Sequence, residues 1–526
     1  MFAILVADSI SEEGLQPLLE MKNAAIIQKK TTDPEANLDA VDALLVRSAT
    51  MVNEELLNKM PNLKIIARAG VGVDNIEVDA ATRRGIVVIN APDGNTISTA
   101  EHTFAMMASM MRNIPQAHQT VKNLEWQRNK FLGTELFGKT LGIIGMGRIG
   151  TELAKRSKAF GMAIKVFDPF LTKDRAAKLG VDSCHFDTVL AEADIISVHT
   201  PLTAETKGII NEQALSKTKK GVFFLNCARG GIIDEQALAK YIGIGHVAGA
   251  AIDVFETEPP GENPLLKFDN VIVTPHLGAS TKEAQLNVAT QVAREVRLFL
   301  EDHPVSNSIN LPAMSKDIFK KIRPFHQISK QMGSILSQCI KEGIQELSIT
   351  YSGTAAELET SYLTKAALAG FFKNRMAVNV NEVNALLTAK ERGITVGEKI
   401  SADAYGYANC ITVTAKGEEK TFVIRGTFIE HYGPRIVYLN GFNIDFLPVG
   451  NLLYIQHMDR PGVIGRVGKI LGDHSINIAT MQVGRKEAGG EAIMVLSFDK
   501  PLEDDSLALL TQLDDIVSIN RITVYE

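Results

Sequence analysis

Cysteine is scarce in this chain. Cys184, Cys227, Cys339 and Cys410 are the whole complement of 526 residues, and no C-x-x-C occurs. Neither a zinc site nor a redox motif is suggested, and no metal is expected. No run of about 18 apolar residues is present, so no segment is expected to span a membrane. The opening stretch MFAILVADS carries no basic residues ahead of its apolar run. It reads as a strand and not as a signal peptide, which makes the cytoplasm the expected location. A basic excess is missing too: Lys and Arg number 55 against 61 Asp and Glu, a net charge of −6. General nucleic-acid binding is a poor fit, and only local basic pockets for small anions remain. No repeat of about 20–50 residues is apparent.

What is present is an ordinary globular composition, 45% hydrophobic and 22% charged. The length suggests about three to four domains at roughly 150 residues each. Residues 1–95 alternate short apolar runs (FAILVAD, ALLVRS, LKIIARAG, IVVINAP) with helical patterns. Such alternation predicts a parallel sheet covered on both faces. GVGVDN, within this region, has two glycines of a nucleotide fingerprint without the third and reads as a turn. Two S-x-x-E capping boxes, Ser98 with Glu101 and Ser280 with Glu283, predict the starts of two long helices. Between them lie six predicted strands: TLGIIG, IKVFD, ADIISVH, VFFLNCA, AGAAIDVF and NVIVTPH. That makes a full doubly wound sheet.

The expected architecture is therefore α/β. A Rossmann-type domain (98–283) is inserted into a flavodoxin-like α/β domain (1–97 and 284–310). One long helix carries the chain out and the other carries it back, which leaves a hinged cleft suited to a small molecule. EDHPVSNSINLPAMS reads as a linker, and residues 311–450 as a further domain of mixed α+β pattern. From 451 to 526 the predicted order is βαββαβ, the ferredoxin-like arrangement, with Pro461 in the first turn of its first helix and IVSINRITVY as the last strand.

The fingerprint Gly145-x-Gly147-x-x-Gly150 follows a strand and opens a helix, with Arg148 and Ile149 between its last two glycines. The first glycine permits the tight turn, the second lets pyrophosphate approach the backbone, and the third lets helix and strand pack closely. Asp168 ends the next strand, about 20 residues on. Its carboxylate accepts ribose hydroxyls and repels a 2′-phosphate, so NAD is expected and not NADP. Three strand ends in the same sheet carry unusual polar groups: Arg229 after FFLNCA, Asp253 and Glu258 in AAIDVFETEPP, and His276 after VIVTP. A histidine suits removal of a hydroxyl proton as hydride leaves carbon, a glutamate can orient it, and an arginine offers a fork for a carboxylate.

These residues resemble those of the D-2-hydroxyacid dehydrogenase family, most closely its long-form D-3-phosphoglycerate dehydrogenase branch. RAGVGVDN, GxGxxG, NCARGG, DVFETEP and TPHLGAST carry the resemblance over about residues 1–310. It implies that Arg229 binds substrate, Glu258 supports the histidine and His276 is the acid/base. It also implies that Asp253 contacts the nicotinamide carboxamide, and that Thr200, Cys227, Ala228, His276 and Gly278 lie along NAD. Arg47 and Arg68, read alone, could simply be isolated cations at a sheet edge. The resemblance implies that they hold a substrate phosphate with Asn95 nearby, and that Arg128 reaches a neighbouring subunit's site. The substrate implied is 3-phosphoglycerate.

HMDRPGVIG followed by INIATMQVGR resembles the ACT domains, small amino-acid-binding modules. That implies an L-serine effector held by His457, Asp459 and Asn477, backbone amides after Pro461 for its carboxylate, and paired modules in a homotetramer. Two other readings stay open here. One is a dehydrogenase of glycerate, glyoxylate or lactate; the other is a non-enzymatic NAD-responsive binding protein on the same fold.

Overall fold

The computed structural model describes residues 1–312, 314, 316–376 and 379–524. The linker residues Ala313 and Ser315 and the end of the expected last strand, Tyr525, lie outside the described residues. The first sheet is built from β1 (Phe2–Val6), β2 (Ala24–Gln28), β3 (Ala43–Val46), β4 (Ile65–Arg68) and β5 (Val87–Ile89), all parallel, in the order β2-β1-β3-β4-β5. That is the flavodoxin-like order. β3 and β5 are buried along their whole length, which is why they read as unbroken apolar runs. The edge strand β2 was not among the expected ones; its residues are only partly covered.

The second sheet contains β6 (Thr140–Ile144), β7 (Ala163–Phe167), β8 (Asp182–Ser183), β9 (Ile195–Val198), β10 (Val222–Asn226), β11 (Val247–Ile252) and β12 (Val271–Val273). Its order, β12-β11-β10-β9-β6-β7-β8, is the doubly wound one with the reversal between β6 and β9. The six expected strands are all there. β8 is an extra two-residue exposed edge, too short to leave a pattern.

The Thr96–Met111 helix belongs to this second sheet: Met106, Met107, Met110 and Met111 are buried with Leu141, Ile143 and Ala251. The Lys282–Leu300 helix belongs to the first, where Val288, Val292 and Val296 pack on Ile4, Leu45 and Ile65. The two helices meet near their starts, where the Ser98 and Thr281 hydroxyls are 2.7 Å apart. This contact corrects both capping boxes. Ser98 sits inside the helix, which begins at Thr96 after Asn95, and Glu101 pairs with Arg156. The second helix is capped by Thr281, whose Oγ1 accepts from the Ala284 amide, one residue beyond Ser280. The divisions expected at 97/98, 283/284 and 450/451 likewise fall just inside elements, which begin at Thr96, Lys282 and Gly450.

β13 (Ile344–Gly353), β14 (Thr395–Ser401), β15 (Asn409–Gly417), β16 (Thr421–Ile429), β17 (Gly433–Leu439) and β18 (Phe442–Phe446) form a mixed sheet, β14-β13-β15-β16-β17-β18. Two helices, Lys316–Cys339 and Thr360–Lys373, cross almost backbone to backbone. A Cβ on Gly333 would lie 2.0 Å from the Ala367 carbonyl oxygen, and one on Gly370 2.0 Å from that of Lys330. The last sheet holds β19 (Gly450–Met458), β20 (Ile478–Arg485), β21 (Glu491–Phe498) and β22 (Ile516–Val524) in the order β20-β21-β19-β22, the ferredoxin-like topology. Its first helix runs Val463–Asp473, so Pro461 precedes it. Leu452, Tyr454, Ile493 and Ile522 share one core with the preceding region, and Gln338 exchanges two hydrogen bonds with the Thr523 backbone. These two C-terminal parts are packed as one body.

Candidate active site

A cleft of ≈ 490 Å³ opens between the first two sheets. One wall is the 71–74 turn with Asn95. The other is made of loops at the carboxyl ends of β6, β9, β10, β11 and β12, the edge where open α/β sheets bind ligands. Gly147, Arg148, Ile149, Thr200, Cys227, Ala228, Arg229, Asp253, His276 and Gly278 all border it.

The glycine turn has the shape its sequence predicts. Gly145 adopts φ +97, and a Cβ there would meet the His199 carbonyl at 2.7 Å. A Cβ on Gly150 would lie 2.4 Å from the Gly145 oxygen, so helix and turn are in direct contact. At Gly147 the corresponding space is open. Arg148 leaves this turn to pair with Asp93 of the first lobe. Asp168 does not border the cleft: its oxygens accept from the Met146 and Phe170 amides at 2.6 and 2.8 Å. It therefore also ties the glycine turn to the end of β7.

Three buried polar atoms at this cleft have no partner: Asn95 Oδ1, Thr200 Oγ1 and His199 Nδ1. Buried polar groups are nearly always satisfied, so an unpaired set on one cleft marks where a polar ligand fits. Together with the open space at Gly147, they fit a dinucleotide. His199 was not among the expected residues. Its Nε2 is 2.8 Å from Ser197 Oγ, and burial pushes the imidazole down to about 4, so it is neutral at pH 7.

His276 Nδ1 lies 2.8 Å from Glu258 Oε2, while Glu258 Oε1 accepts from the Phe255 amide. The ring is half exposed at the cleft. His276 has φ +55, a conformation costing about 1–2 kcal/mol for a residue with a Cβ. Asp253 holds it there. Its backbone oxygen accepts from the His276 amide, Oδ1 from Thr274 Oγ1 and the Leu277 amide, and Oδ2 from the Gly278 amide. His102 Nε2 stands 3.3 Å from Oδ1. Burial opposes the charge on Asp253, but the hydrogen bonds from His102, Thr274 and Leu277 outweigh it and hold its carboxyl below the usual range. A carboxylate offers about four acceptor positions, and these donors nearly fill them. Asp253, the residue expected to contact the nicotinamide amide, is thus already engaged in shaping the histidine loop.

His102, Cys227 and Asp253 present ligand-type atoms within 4.8 Å of one another. Burial, with the Asp253 charge, pushes the Cys227 thiol up to about 12. A thiol that stays protonated is a poor metal ligand.

Arg229 crosses the cleft. Its Nε donates to Asp74 Oδ2 at 3.2 Å and its Nη1 to the Ala228 oxygen at 2.7 Å. Arg68 stands beside it, held below its ordinary range first by burial and then by the Arg229 charge, with Asp74 pulling the other way and Arg47 adding to the repulsion. Three guanidinium groups thus gather at one end of the cleft, although Arg47 and Arg68 stand next to its wall and do not line it. Two residues outside the expected site set fix this cluster. Asn75, buried, accepts from Arg68 Nε and donates to the Arg47 and Thr50 carbonyls. Asp8 accepts from the Arg47 amide and the Thr50 hydroxyl. GVGVDN is a turn, as expected, but it is also a wall of the site.

Arg128 lies elsewhere, in an exposed turn (Arg128–Phe131) that does not border its own chain's cleft. In the last sheet His457 is buried, with Nδ1 on the Met458 oxygen and Nε2 unpaired. Asp459 is taken by Arg485 Nη1 and the Gly489 amide, and the latter especially lowers its carboxyl. Asn477 does not join them. Ile478 is opposite Phe498 while Met458 is opposite Glu491, so Asn477 stands at the other end of the sheet, bonded to Asp499.

Comparison with known proteins agrees with this layout. Residues 104–278 match the D-isomer specific 2-hydroxyacid dehydrogenase NAD binding domain, 321–440 the D-3-phosphoglycerate dehydrogenase intervening domain, and 452–516 the ACT domain. The D-3-phosphoglycerate dehydrogenase of Bacillus subtilis is 61% identical over 522 residues, 99% of each chain. That of Archaeoglobus fulgidus is 44% identical over 98% of each. The chain belongs to the D-3-phosphoglycerate dehydrogenase family. Solved structures of related dehydrogenases superpose on part of the chain. The D-lactate dehydrogenase of Aquifex aeolicus, complexed with NAD and lactic acid, is 31% identical with TM-score 0.52, covering 59% of this chain and all of that one. The NAD-dependent formate dehydrogenase of Staphylococcus aureus, in complex with NAD, is 28% identical with TM-score 0.53, covering 60% and all of that one. The dehydrogenase is an NAD enzyme, and its described residues contain no helix long and apolar enough to cross a membrane.

Proposed function

We propose that this chain oxidises 3-phospho-D-glycerate to 3-phosphooxypyruvate with NAD, the first step of L-serine biosynthesis, in the cytoplasm. The observation that carries the reading is that His276, held by Glu258, and Arg229 border one cleft, with two further arginines next to its wall. Arg229 holds the substrate carboxylate. Arg47 and Arg68, gathered at the same end as Arg229, take the phosphate, with Asn95 on the cleft wall. His276, its Nδ1 turned to Glu258, offers Nε2 to the substrate hydroxyl and removes its proton; Glu258 stabilises the imidazolium that forms. Gly145–Gly150, Thr200, Cys227, Ala228 and Gly278 would hold NAD, which would supply the hydride acceptor. The crowding of three arginines favours a doubly anionic substrate over glycerate, glyoxylate or lactate.

The test is absorbance at 340 nm with 3-phosphoglycerate and glycerate, NAD and NADP, for the wild type and Arg47→Ala. The expected result is a preference for phosphoglycerate with NAD that falls in the variant. An unchanged ratio removes the phosphate assignment.

For the C-terminal module we propose L-serine as effector, with His457 and Asp459 on one chain. Asn477, at the other end of its own sheet, serves that site only from a second copy, which agrees with a homotetramer. Arg128 sits on an exposed segment with Leu124, Trp126 and Leu132, suited to a neighbouring subunit. Removing residues 451–526 would strip the shared core, so the cleaner test is a serine titration of His457→Ala and Asp459→Asn, with the oligomer mass measured by light scattering. Serine inhibition unaltered in both variants removes the effector assignment.

A further inference from the structure

The Arg229 guanidinium, given above as the carboxylate ligand, is held from the opposite lobe. Asp74 belongs to the 71–74 turn of the first sheet, while Arg229 follows β10 of the second; the Nε–Oδ2 distance is 3.2 Å. The Ala228 oxygen takes Nη1 at 2.7 Å. Gly72 lies directly beneath the third nitrogen: a Cβ there would be 2.1 Å from Nη2 and 2.6 Å from Asp74 Oδ2. Two of the three nitrogens are thus pinned by acceptors, and the absence of a side chain at position 72 admits the third. A guanidinium has a planar fork, and its worth to a carboxylate depends on that plane being fixed beforehand.

Charge points the same way. Arg229 acts on Arg68 as a like charge, and Asp74 is the carboxylate that relieves Arg68 most. Without Asp74, two cations would face each other at the cleft, and the other carboxylate acting on Arg68, Asp8, is occupied with Arg47 and Thr50. A flexible arginine repelled by a neighbour swings toward solvent.

We propose that Asp74 is a positioning residue for substrate binding. It reaches across the cleft to set the plane of Arg229, so that the carboxylate fork is formed only when the two lobes are in contact through this pair. The pair itself is partly exposed and contributes little to stability; its role is orientation. The proposal rests on the reading of Arg229 as the carboxylate ligand of a phosphoglycerate enzyme.

The experiment compares wild type, Asp74→Asn, Asp74→Glu, Arg229→Lys and the Asp74→Asn/Arg229→Lys double variant of the full chain. Oxalate, a probe carboxylate, is titrated by calorimetry with NADH bound, and KM for 3-phosphoglycerate and for NAD is read at 340 nm. Asp74→Asn is expected to raise KM for 3-phosphoglycerate and weaken oxalate by about tenfold, leaving KM for NAD within about twofold. Asp74→Glu should restore most of the loss, and Asp74→Asn should add nothing once Arg229 is lysine. Unchanged oxalate and phosphoglycerate constants overturn the proposal, and so does an equal rise for NAD and substrate. If the wild type fails to oxidise 3-phosphoglycerate while oxalate binding still weakens in Asp74→Asn, the substrate reading fails and the positioning role stands.

Discussion

Two histidine–glutamate pairs in this molecule have the same chemistry and opposite surroundings. In the cleft, His276 uses Nδ1 to meet Glu258 at 2.8 Å, and the side chains are 49% and 39% exposed. In the intervening region, His326 uses Nε2 to meet Glu382 at 3.1 Å, with 18% and 16% exposed. Glu382 also takes Lys330 Nζ at 2.9 Å, and the His326 ring stacks on Tyr362 at 4.8 Å. Burial acts against the Glu382 charge, yet the His326 hydrogen bond and the Lys330 charge hold its carboxyl far below the usual range. Its neighbours Asn381 and Asn384 bond to the Gly85 and Arg83 carbonyls of the first lobe. The first pair leaves a ring nitrogen facing a cleft and can move a proton. The second spends its ring on stacking, and it is the nearby Asn381 and Asn384 that tie its region to the first lobe. Residue type sets what a pair can do; the space left around it decides which of those things it does.

The contrast breaks or sharpens under substitution. His276→Ala should lower kcat by roughly 10²-fold or more with NAD affinity and melting temperature retained, whereas His326→Ala should lower the melting temperature and leave kcat nearly unchanged. Equal losses of turnover in both would erase the distinction. Glu258→Gln should reduce kcat by about tenfold or more, because the imidazolium loses its counter-charge. Glu382→Gln leaves Lys330 and His326 without that charge and should cost about 2 kcal/mol in a denaturant titration, with turnover unaltered. A carboxyl depressed in the folded state stabilises above its unfolded value and ceases to do so as pH falls toward the folded one. Melting followed downward from about pH 4.5, the ordinary carboxyl value, should therefore show an acid-side loss in the wild type that shrinks in Glu382→Gln; an identical slope would assign the loss elsewhere. Smallest is the cap: Thr281→Ala should cost about 1 kcal/mol, and Ser280→Ala almost nothing by the same titration.

The catalytic half was legible because its signals are local. Parallel strands buried on both faces, such as β3 and β9, appear as apolar runs, and Arg229, Glu258 and His276 each follow one. What escaped reading acts at a distance. Asp8 and His102 contact groups far along the chain, and nothing in their neighbourhoods announces that; Asn75 closes the RAGVGVDN motif, but the motif does not show its bonds to the Arg47 and Thr50 carbonyls. The left-handed backbone of His276 is imposed by Asp253, and the cap at Thr281 in place of Ser280 depends on which hydroxyl the Thr96–Met111 helix approaches. Asn477 followed from its motif, but its separation from Asp459 follows from strand register. The 311–450 region offered only mixed pattern, since most of its sheet is covered without strict alternation and its helices pack through Gly333 and Gly370, residues with no apolar signature.

The most direct measurement is a crystal structure of the full chain with NADH and 3-phosphoglycerate. The substrate hydroxyl is expected at hydrogen-bond distance from His276 Nε2, its carboxylate on Arg229 and its phosphate toward Arg47 and Arg68, with the nicotinamide beside Asp253. A coenzyme on another face, or a phosphate away from those two arginines, would contradict this placement.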